Sequence, residues 1–198
     1  MKFLYFCLLC LWFAIAFTSC KKEPKPEPVK QKEITAFWPN KEWTEYLDYL
    51  LETDGVRLLY IPGPNDEVEW CMTKYEQPKE FYIKLFSAIA KFESNFNPST
   101  TYKENFKDAK GNFVISTGLL QVSAESCRGY GVEDASNENL KNPQKNLICG
   151  VKIAKKWILQ DGVIAQGTGN ASKGLARYFS TMRTTGKREQ IRKMVCGK

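Results

Sequence analysis

The apolar residues of the stretch from Phe81 to Pro98 recur at intervals of three and four positions, which predicts a helix with an apolar stripe. Pro78 suits the first turn of this helix, because its missing N–H would have no intrahelical partner there. Pro98 cannot continue the helix and biases the preceding residue towards an extended conformation. One apolar register leads to Glu93, which is therefore predicted on the apolar side near the C-terminal end. If Glu93 is buried there, burial and the negative end of the helix dipole would both favour the protonated form of its carboxyl. The alternative is that Glu93 lies at the rim of the stripe and its carboxylate reaches water.

The same kind of pattern predicts the remaining elements. Residues 43–51 have a helical period, and so does a longer segment that begins at Pro143 and ends at Asp161-Gly162. Alternating aromatic and β-branched residues around Lys110-Gly111-Asn112 predict a β-hairpin near residues 100–117. The total of five to seven helices and one hairpin gives a mainly α (α+β) fold class. Shorter helices are predicted at 118–129, 172–182 and 187–195.

The N-terminal segment follows a different pattern. Lys2 precedes an uncharged apolar run that ends at Phe17, which is short for a membrane span and typical of a signal peptide. Thr18, Ser19 and Cys20 come next and resemble a bacterial lipoprotein signal, which implies cleavage before Cys20 and its lipidation. An uncleaved anchor helix is the alternative. Alternating proline and charge then predict an extended linker, so the expected boundaries are 1–19 for the signal, 20–33 for the linker and 34–198 for the domain.

Both interpretations of the N-terminus predict a protein that is exported and tethered in the cell envelope, on its periplasmic face. Lys21 is compatible with sorting to the outer membrane in systems where an aspartate at this position means retention. We therefore expect a membrane contact through an N-terminal lipid anchor.

Four cysteines lie in the predicted domain, namely Cys71, Cys127, Cys149 and Cys196. An even number in an exported chain predicts two disulfides, because disulfides persist in oxidising compartments. The sequence leaves three pairings open. We favour Cys149–Cys196, which would tie down the C-terminus, together with Cys71–Cys127. The spacings match no zinc-binding pattern.

The chain contains no histidine. This excludes Ser–His and Cys–His nucleophilic catalysis and almost all zinc hydrolase chemistry. Gly167-Thr168-Gly169 is an isolated fragment rather than a phosphate-binding loop that follows a strand. The chemistry that remains is that of carboxylates, hydroxyls, amides and phenols, so neither a metal nor a cofactor is expected.

Four short motifs follow one another along the chain. They are Glu93-Ser94 with Phe96-Asn97-Pro98, Gly118-Leu119-Leu120-Gln121-Val122, Asn146-Leu147 with Gly150, and Ala176-Arg177-Tyr178. In their order and rough spacing they resemble the catalytic domain of the lytic transglycosylases, the SLT or goose-type lysozyme-like family. The resemblance extends over about residues 78–185. The segment between the first two motifs is longer than is common in the family, which the predicted hairpin accounts for.

The resemblance implies a lysozyme-like fold and roles for four residues. Glu93 would be the catalytic acid/base. Ser94, Gln121 and Tyr178 would bind substrate, with the Tyr178 hydroxyl directed towards Glu93. Apart from the resemblance, the alternatives are that Gln121 is a polar cap on a short helix and that Tyr178 is a core aromatic residue. Leu120 replaces the usual methionine of the second motif, which changes an apolar wall rather than the chemistry.

Most glycosidases use two carboxylates, but the candidates for a second one, Glu104, Asp108 and Glu125, are more simply explained as solvated charges. A single buried Glu93 suits a lytic transglycosylase. For that family the resemblance implies cleavage of the MurNAc–GlcNAc β-1,4 bond and closure of a 1,6-anhydro ring without water. The alternatives are a lysozyme-type peptidoglycan hydrolase on the same fold and a non-catalytic glycan-binding lipoprotein.

Charge agrees with this expectation. The formal net charge is +7, and a basic protein is attracted to polyanionic cell walls. The glycan strands of peptidoglycan are therefore the expected partner. Basic charge would also suit nucleic acid, but no basic helix interleaved with aromatic residues is found, and no nucleic-acid partner is expected. We expect a monomer.

Overall fold

The computed structural model describes residues 34–55 and 65–197 of the chain. The predicted signal peptide, the lipidation site at Cys20 and the linker up to residue 33 lie outside these residues, so those assignments stay predictions. Within the described ranges, no helix is both long enough and apolar enough to span a bilayer.

Six α-helices dominate the described part of the chain, and the predicted mainly α, lysozyme-like α+β fold is confirmed. The second helix begins at Pro78 as predicted, and it ends at Ser94, before Pro98. The helices are α1 (Lys41–Glu52), α2 (Pro78–Ser94), α3 (Ala124–Gly129), α4 (Pro143–Asp161), α5 (Ser180–Arg183) and α6 (Thr185–Cys196). Short 3-10 helices lie at Met72–Lys74, Asn139–Lys141, Gly169–Ala171 and Leu175–Arg177.

Helix α2 is the centre of the hydrophobic core. Its residues from Phe81 to Ala90 are buried, with the exception of Lys84, so the helix is enclosed on more than one face. It packs against α1, α5 and α6. Burying a large apolar side chain contributes about 1.5–3 kcal/mol, so this helix is anchored along its length. Glu93, near its end, is consequently held in place by the core itself.

Two small antiparallel sheets complete the described part of the fold, and the predicted hairpin is confirmed. It consists of β1 (Thr101–Lys107) and β2 (Phe113–Thr117), with β3 (Val122–Ser123) next to β2. The register pairs Lys103 with Ile115 and Lys107 with Phe113, so β1 bulges between these two pairs. The second sheet pairs β4 (Ala165–Gln166) with β5 (Lys173–Gly174).

The helix predicted at 172–182 is wrong. The chain forms β5, a 3-10 turn at Leu175–Arg177 and the four-residue α5. Gly174 has a φ of 58°, and a Cβ there would lie 2.3 Å from the Ile164 carbonyl oxygen, because β5 runs closely against β4. A non-local contact therefore breaks the helical pattern. The Arg183 guanidinium donates hydrogen bonds to three consecutive carbonyl groups of the interrupted segment, those of Ala176, Arg177 and Tyr178.

The favoured disulfide pairing is also wrong. The structure pairs Cys71 with Cys196 and Cys127 with Cys149. Helix α6 packs along α2, which returns the C-terminus to the segment just before α2, where Cys71 lies. Cys127 on α3 and Cys149 on α4 are both fully buried. Which helices are neighbours is a tertiary property, so the spacing of the cysteines could not select this pairing.

Candidate active site

A cleft of about 650 Å³ lies between the hairpin and the segment that contains α5 and the start of α6. Its volume is in the range of ordinary ligand sites. The end of α2 reaches this cleft, and so does the loop between β2 and β3. The polar residues of the lining include Glu93, Glu104, Gln121, Glu125, Tyr178 and Thr181.

Glu93 lies one residue before the end of α2 and is half-buried in the wall of the cleft. Its Oε1 accepts hydrogen bonds from Thr181, at 2.6 Å from Oγ1 and 3.4 Å from the backbone N. Burial raises the pKa of Glu93 above its ordinary value of 4.5. The hydrogen bonds from Thr181 and the charge of Lys187 offset part of this rise, while the negative charge of Glu104 adds to it. A carboxyl with a raised pKa keeps its proton closer to neutral pH, as a general acid must.

The backbone turns sharply directly after Glu93. Asn95 and Phe96 have φ angles of 51° and 66°, a left-handed conformation that is unfavourable for residues with a side chain. Lys91 stabilises the turn, because its Nζ donates to Asn95 Oδ1 at 2.5 Å and lies 5.1 Å from the centroid of the Phe96 ring. The turn ends α2 and directs the chain into β1, so the hairpin lines the same cleft as Glu93.

The second and third motifs form one structural unit. The buried Asn146 side chain accepts a hydrogen bond from the backbone N of Leu120 and donates one to the Thr117 carbonyl, both at 2.8 Å. Gly118 has a φ of 81°, and a Cβ there would lie 2.2 Å from Asn146 Nδ2. A Cβ at Gly150 would lie 2.2 Å from Leu120 Cδ1. These residues therefore hold the 118–122 loop against α4.

Gln121 lies in the lining of the cleft, with a φ of 45°. Its Nε2 donates to the carbonyl oxygens of Thr100 and Gly118, each at 2.9 Å. These hydrogen bonds hold the base of the hairpin to the second motif. The side-chain nitrogen is thus committed to the backbone, and a contact between Gln121 and substrate stays a prediction.

Ser94 is not part of the cleft lining. Its side chain is buried, and its hydroxyl donates to the Leu119 carbonyl at 2.8 Å and approaches the Ala90 carbonyl at 3.2 Å. Successive helical residues point about 100° apart, so Ser94 faces the core when Glu93 faces the cleft. The Ser94 hydroxyl therefore links α2 to the second motif, and a contact between Ser94 and substrate stays a prediction.

Tyr178 lines the cleft, but its hydroxyl is not hydrogen-bonded to Glu93. The Tyr178 oxygen accepts a hydrogen bond from the backbone N of Ser123 at 3.1 Å. Burial raises the pKa of Tyr178, so this phenol stays neutral. The carboxyl of Glu93 is near enough to raise that pKa further. The hydroxyl that does contact Glu93 is that of Thr181.

Thr181 is a site residue that the sequence did not reveal. It is 1% exposed and lies on α5, three positions after Tyr178. It contacts a residue 88 positions away. The sequence shows only that Thr181 is a small polar residue within one helical turn of the fourth motif. Its contact with Glu93 could not be predicted without knowing that α5 packs on α2.

We expect the Thr181→Val substitution to move the alkaline limb of the kcat/KM pH profile to higher pH. The Thr181 hydroxyl stabilises the ionised carboxyl and lowers the pKa of Glu93, so its loss raises that pKa and keeps the acid protonated at higher pH. Activity on peptidoglycan fragments between pH 4 and 9 measures the shift. Thr181→Ser retains the hydroxyl and should keep the wild-type profile. An unchanged profile for Thr181→Val would contradict this role.

Two of the three candidate second carboxylates line the cleft, namely Glu104 and Glu125. Glu104 Oε1 accepts a hydrogen bond from Ser116 Oγ at 2.6 Å across the hairpin, and the side chain is half-buried. Asp108 lies outside the cleft. Its Oδ1 accepts hydrogen bonds from two backbone N–H groups of the hairpin turn at 2.9 and 2.8 Å, which is a structural role.

Cations border the cleft on the side of the C-terminal helices. Arg177 is paired with Asp161 through two hydrogen bonds of 2.6 and 2.9 Å, and its guanidinium lies 5.0 Å from the centroid of the Trp157 ring. Lys187 is exposed at the start of α6. In the part of the chain that the structure describes, no group of three or more cysteine, aspartate or glutamate side chains could hold a metal ion.

Comparisons with known proteins identify relatives of this chain. The family model described as the transglycosylase SLT domain matches residues 70–167. The solved structure of wild-type DslA is 34% identical, with a TM-score of 0.75, and the match covers 81% of this chain and 94% of that one. Two DslA variants, each with one glutamate replaced by glutamine, are 35% and 33% identical over the same shares, with TM-scores of 0.74 and 0.73. No curated protein matches.

The match to the family model includes α2 with Glu93, the hairpin and the second and third motifs. The match to DslA extends over nearly all of that protein. The chain therefore belongs to the transglycosylase SLT domain family, whose enzymes act on the glycan strands of peptidoglycan.

Proposed function

We propose that the protein is a lytic transglycosylase that cleaves the MurNAc–GlcNAc β-1,4 bond of peptidoglycan with Glu93 as its acid and base. The observation that carries the proposal is the environment of Glu93. Its carboxyl lines a cleft, burial raises its pKa, and a single hydroxyl, that of Thr181, fixes one of its oxygens.

In the proposed reaction, Glu93 first donates its proton to the glycosidic oxygen while the bond from that oxygen to the anomeric carbon breaks. The leaving sugar departs as an alcohol, and the acetamido group of MurNAc assists at the anomeric carbon. The Glu93 carboxylate then takes the proton of the MurNAc 6-hydroxyl, whose oxygen bonds to the anomeric carbon. A 1,6-anhydro ring closes, Glu93 is protonated again, and no water is consumed.

One residue must act as an acid and then as a base in this reaction, so its pKa has to lie near the working pH. Burial of Glu93 raises the pKa, whereas Thr181 and Lys187 limit the rise. This balance supports the assignment of both steps to Glu93.

A lysozyme-type hydrolase is the second candidate, and Glu104 favours it. Hydrolases of this kind need another carboxylate to activate water or to act as a nucleophile, and Glu104 lines the same cleft as Glu93. The glutamates replaced in the two DslA variants are eleven positions apart in that chain, as are Glu93 and Glu104 here. The equal spacing supports a functional role for Glu104.

The Glu104→Gln substitution distinguishes the two mechanisms. For a transglycosylase, we expect activity to fall only about threefold or less, with the alkaline limb of the pH profile moved to lower pH. The shift is downwards because the Glu104 charge raises the pKa of Glu93, and glutamine removes that charge. For a hydrolase that uses Glu104 directly, the rate at every pH should fall by about 10²-fold or more.

The chemical nature of the products tests the proposed function itself. Muropeptides released from purified peptidoglycan are treated with borohydride, which reduces a free sugar end but not a 1,6-anhydro end. Mass spectrometry should then find MurNAc ends that lack one water and resist reduction. Products that are all reducible would establish hydrolysis and overturn the transglycosylase.

We also propose that the chain is exported and held in the cell envelope by a lipid on Cys20, which is compatible with the outer membrane. The sequence pattern before Cys20 and the proline-rich segment after it support this location, because a peptidoglycan enzyme on a membrane needs a spacer to reach the wall. Mass spectrometry of the N-terminal peptide should find an acylated cysteine. A Cys20→Ala protein that remains in the membrane fraction would contradict the anchor.

A further inference from the structure

The hairpin carries aromatic rings that point into solvent. In the described part of the chain, five large hydrophobic side chains are exposed, and three of them belong to this hairpin. Tyr102 is 61% exposed, Phe106 56% and Phe113 44%. Exposed aromatic rings concentrated on one small element commonly mark a binding surface.

The three rings occupy opposite faces of the hairpin. Tyr102 and Phe106 line the cleft, with Glu104 between them along the strand. Phe113 is not part of this lining and is paired with Lys107 in the register. Lysine ammonium groups cover the Phe113 ring at 3.9 and 5.2 Å from its centroid. The rings of Tyr102 and Phe106 therefore face the cleft, whereas the Phe113 ring lies outside the cleft and is covered by lysine ammonium groups.

The irregular pairing of the hairpin accounts for this arrangement. Between the pairs Lys103–Ile115 and Lys107–Phe113, three residues of β1 lie opposite one residue of β2. Such bulges re-aim side chains and are common beside active sites. Phe106 lies within this bulge and Tyr102 just before it, where β1 is still regular. In a regular strand their Cα atoms would be about 13 Å apart, a span that accommodates more than one sugar ring.

We propose that Tyr102 and Phe106 form a stacking platform that binds pyranose rings of the glycan strand along the hairpin wall of the cleft. The platform rests on the proposed function, since it serves the same substrate as Glu93. A pyranose ring presents C–H groups on its faces and hydroxyl groups at its edge. An exposed aromatic ring can cover such a face while the hydroxyl groups stay hydrated, and the tyrosine hydroxyl adds a polar contact at the rim.

The platform would hold the strand rather than take part in bond cleavage. Phe106 has no proton to exchange, and Glu93, which the proposed reaction uses as acid and base, reaches the cleft from α2, a different element. Loss of a ring should therefore weaken binding and raise KM, with a smaller change in kcat at saturating substrate.

Titration of soluble GlcNAc–MurNAc strands, freed of their peptides, into the full chain carrying Glu93→Gln tests the platform without turnover. We expect Tyr102→Ala and Phe106→Ala each to raise the dissociation constant about tenfold, in line with the contribution of a good aromatic contact. Phe106→Trp, which keeps a stacking face, should retain binding. Phe113→Ala is the matched control, because it removes an exposed ring from the other face, and it should change binding less than about twofold.

In the active chain, the same substitutions should raise KM on peptidoglycan by a similar factor, while Phe113→Ala leaves it unchanged. If Tyr102→Ala and Phe106→Ala bind and turn over like Phe113→Ala, the platform is wrong and the proposed function stands. If the strands bind in a manner that depends on Tyr102 and Phe106 but wild type releases no fragments, the platform stands and the catalytic proposal is wrong. Absence of any strand binding by the parent chain would overturn both.

Discussion

Replacing Glu93 with glutamine is expected to lower kcat on purified peptidoglycan by a factor of about 10²–10⁴. Glutamine has nearly the shape of glutamate but carries no proton to donate to the glycosidic oxygen. In the described part of the cleft, the remaining carboxylates Glu104 and Glu125 belong to the hairpin and to α3, and the Thr181 hydroxyl donates its hydrogen bond to Glu93. The rate of release of soluble fragments measures the loss.

The same substitution should leave the fold intact, which separates a chemical defect from a structural one. The raised pKa of Glu93 means that the native state binds this proton more tightly than the unfolded chain does. Between pH 4.5 and the folded pKa, ionisation of Glu93 therefore reduces the stability of wild type as pH rises. Glutamine has no such penalty, so the Tm of Glu93→Gln at pH 7 should equal or exceed that of wild type. Wild-type rates of wall clearance by this variant would refute the catalytic role of Glu93.

Removing the disulfide between Cys71 and Cys196 should have the largest effect on stability. The two cysteines are 125 residues apart, and in the chain-entropy model a cross-link of this length stabilises the fold by about 4–5 kcal/mol. For a domain of this size, such a loss lowers Tm by about 10–20 °C. Thermal unfolding of the double variant Cys71→Ser/Cys196→Ser, followed by circular dichroism, measures it.

The second disulfide provides the comparison. Cys127 and Cys149 are separated by 22 residues, so the same model assigns their cross-link about 3 kcal/mol. Both cysteines are fully buried, however, and serine at these positions would add desolvation of two hydroxyl groups. Alanine is therefore the appropriate replacement. Peptide mapping under non-reducing conditions reports the pairing directly, and a Cys71–Cys127 peptide would contradict the structure.

Elements whose determinants are local could be predicted from the sequence. Helices α2 and α4 combine a 3.6-residue apolar period with a proline at the first position, and both begin where the sequence indicates. The hairpin follows from alternation around the turn at Gly111. The position of Glu93 in the cleft follows from the same logic, because it continues an apolar register of a helix that the core surrounds.

What could not be predicted depends on contacts between distant segments. The helical pattern at 172–182 is interrupted because Gly174 pairs with β4, and no local signal marks that pairing. The disulfides depend on the return of α6 along α2. At the site, the positions of the Ser94 and Thr181 side chains likewise could not be predicted from the sequence. The family resemblance emphasises Ser94, which faces the core, whereas Thr181 becomes important only once α5 lies beside Glu93.

The account depends most on the proton of Glu93. Titration of its side-chain carboxyl carbon by NMR, in protein labelled at glutamate, measures that proton directly, and the signal is identified by its absence from Glu93→Gln. We predict a midpoint above 4.5 for wild type, because burial outweighs the hydrogen bonds from Thr181. A midpoint at or below 4.5 would contradict the account, since Glu93 would then hold its proton no more tightly than an ordinary glutamate does and would lack the feature that suits it to act as the acid.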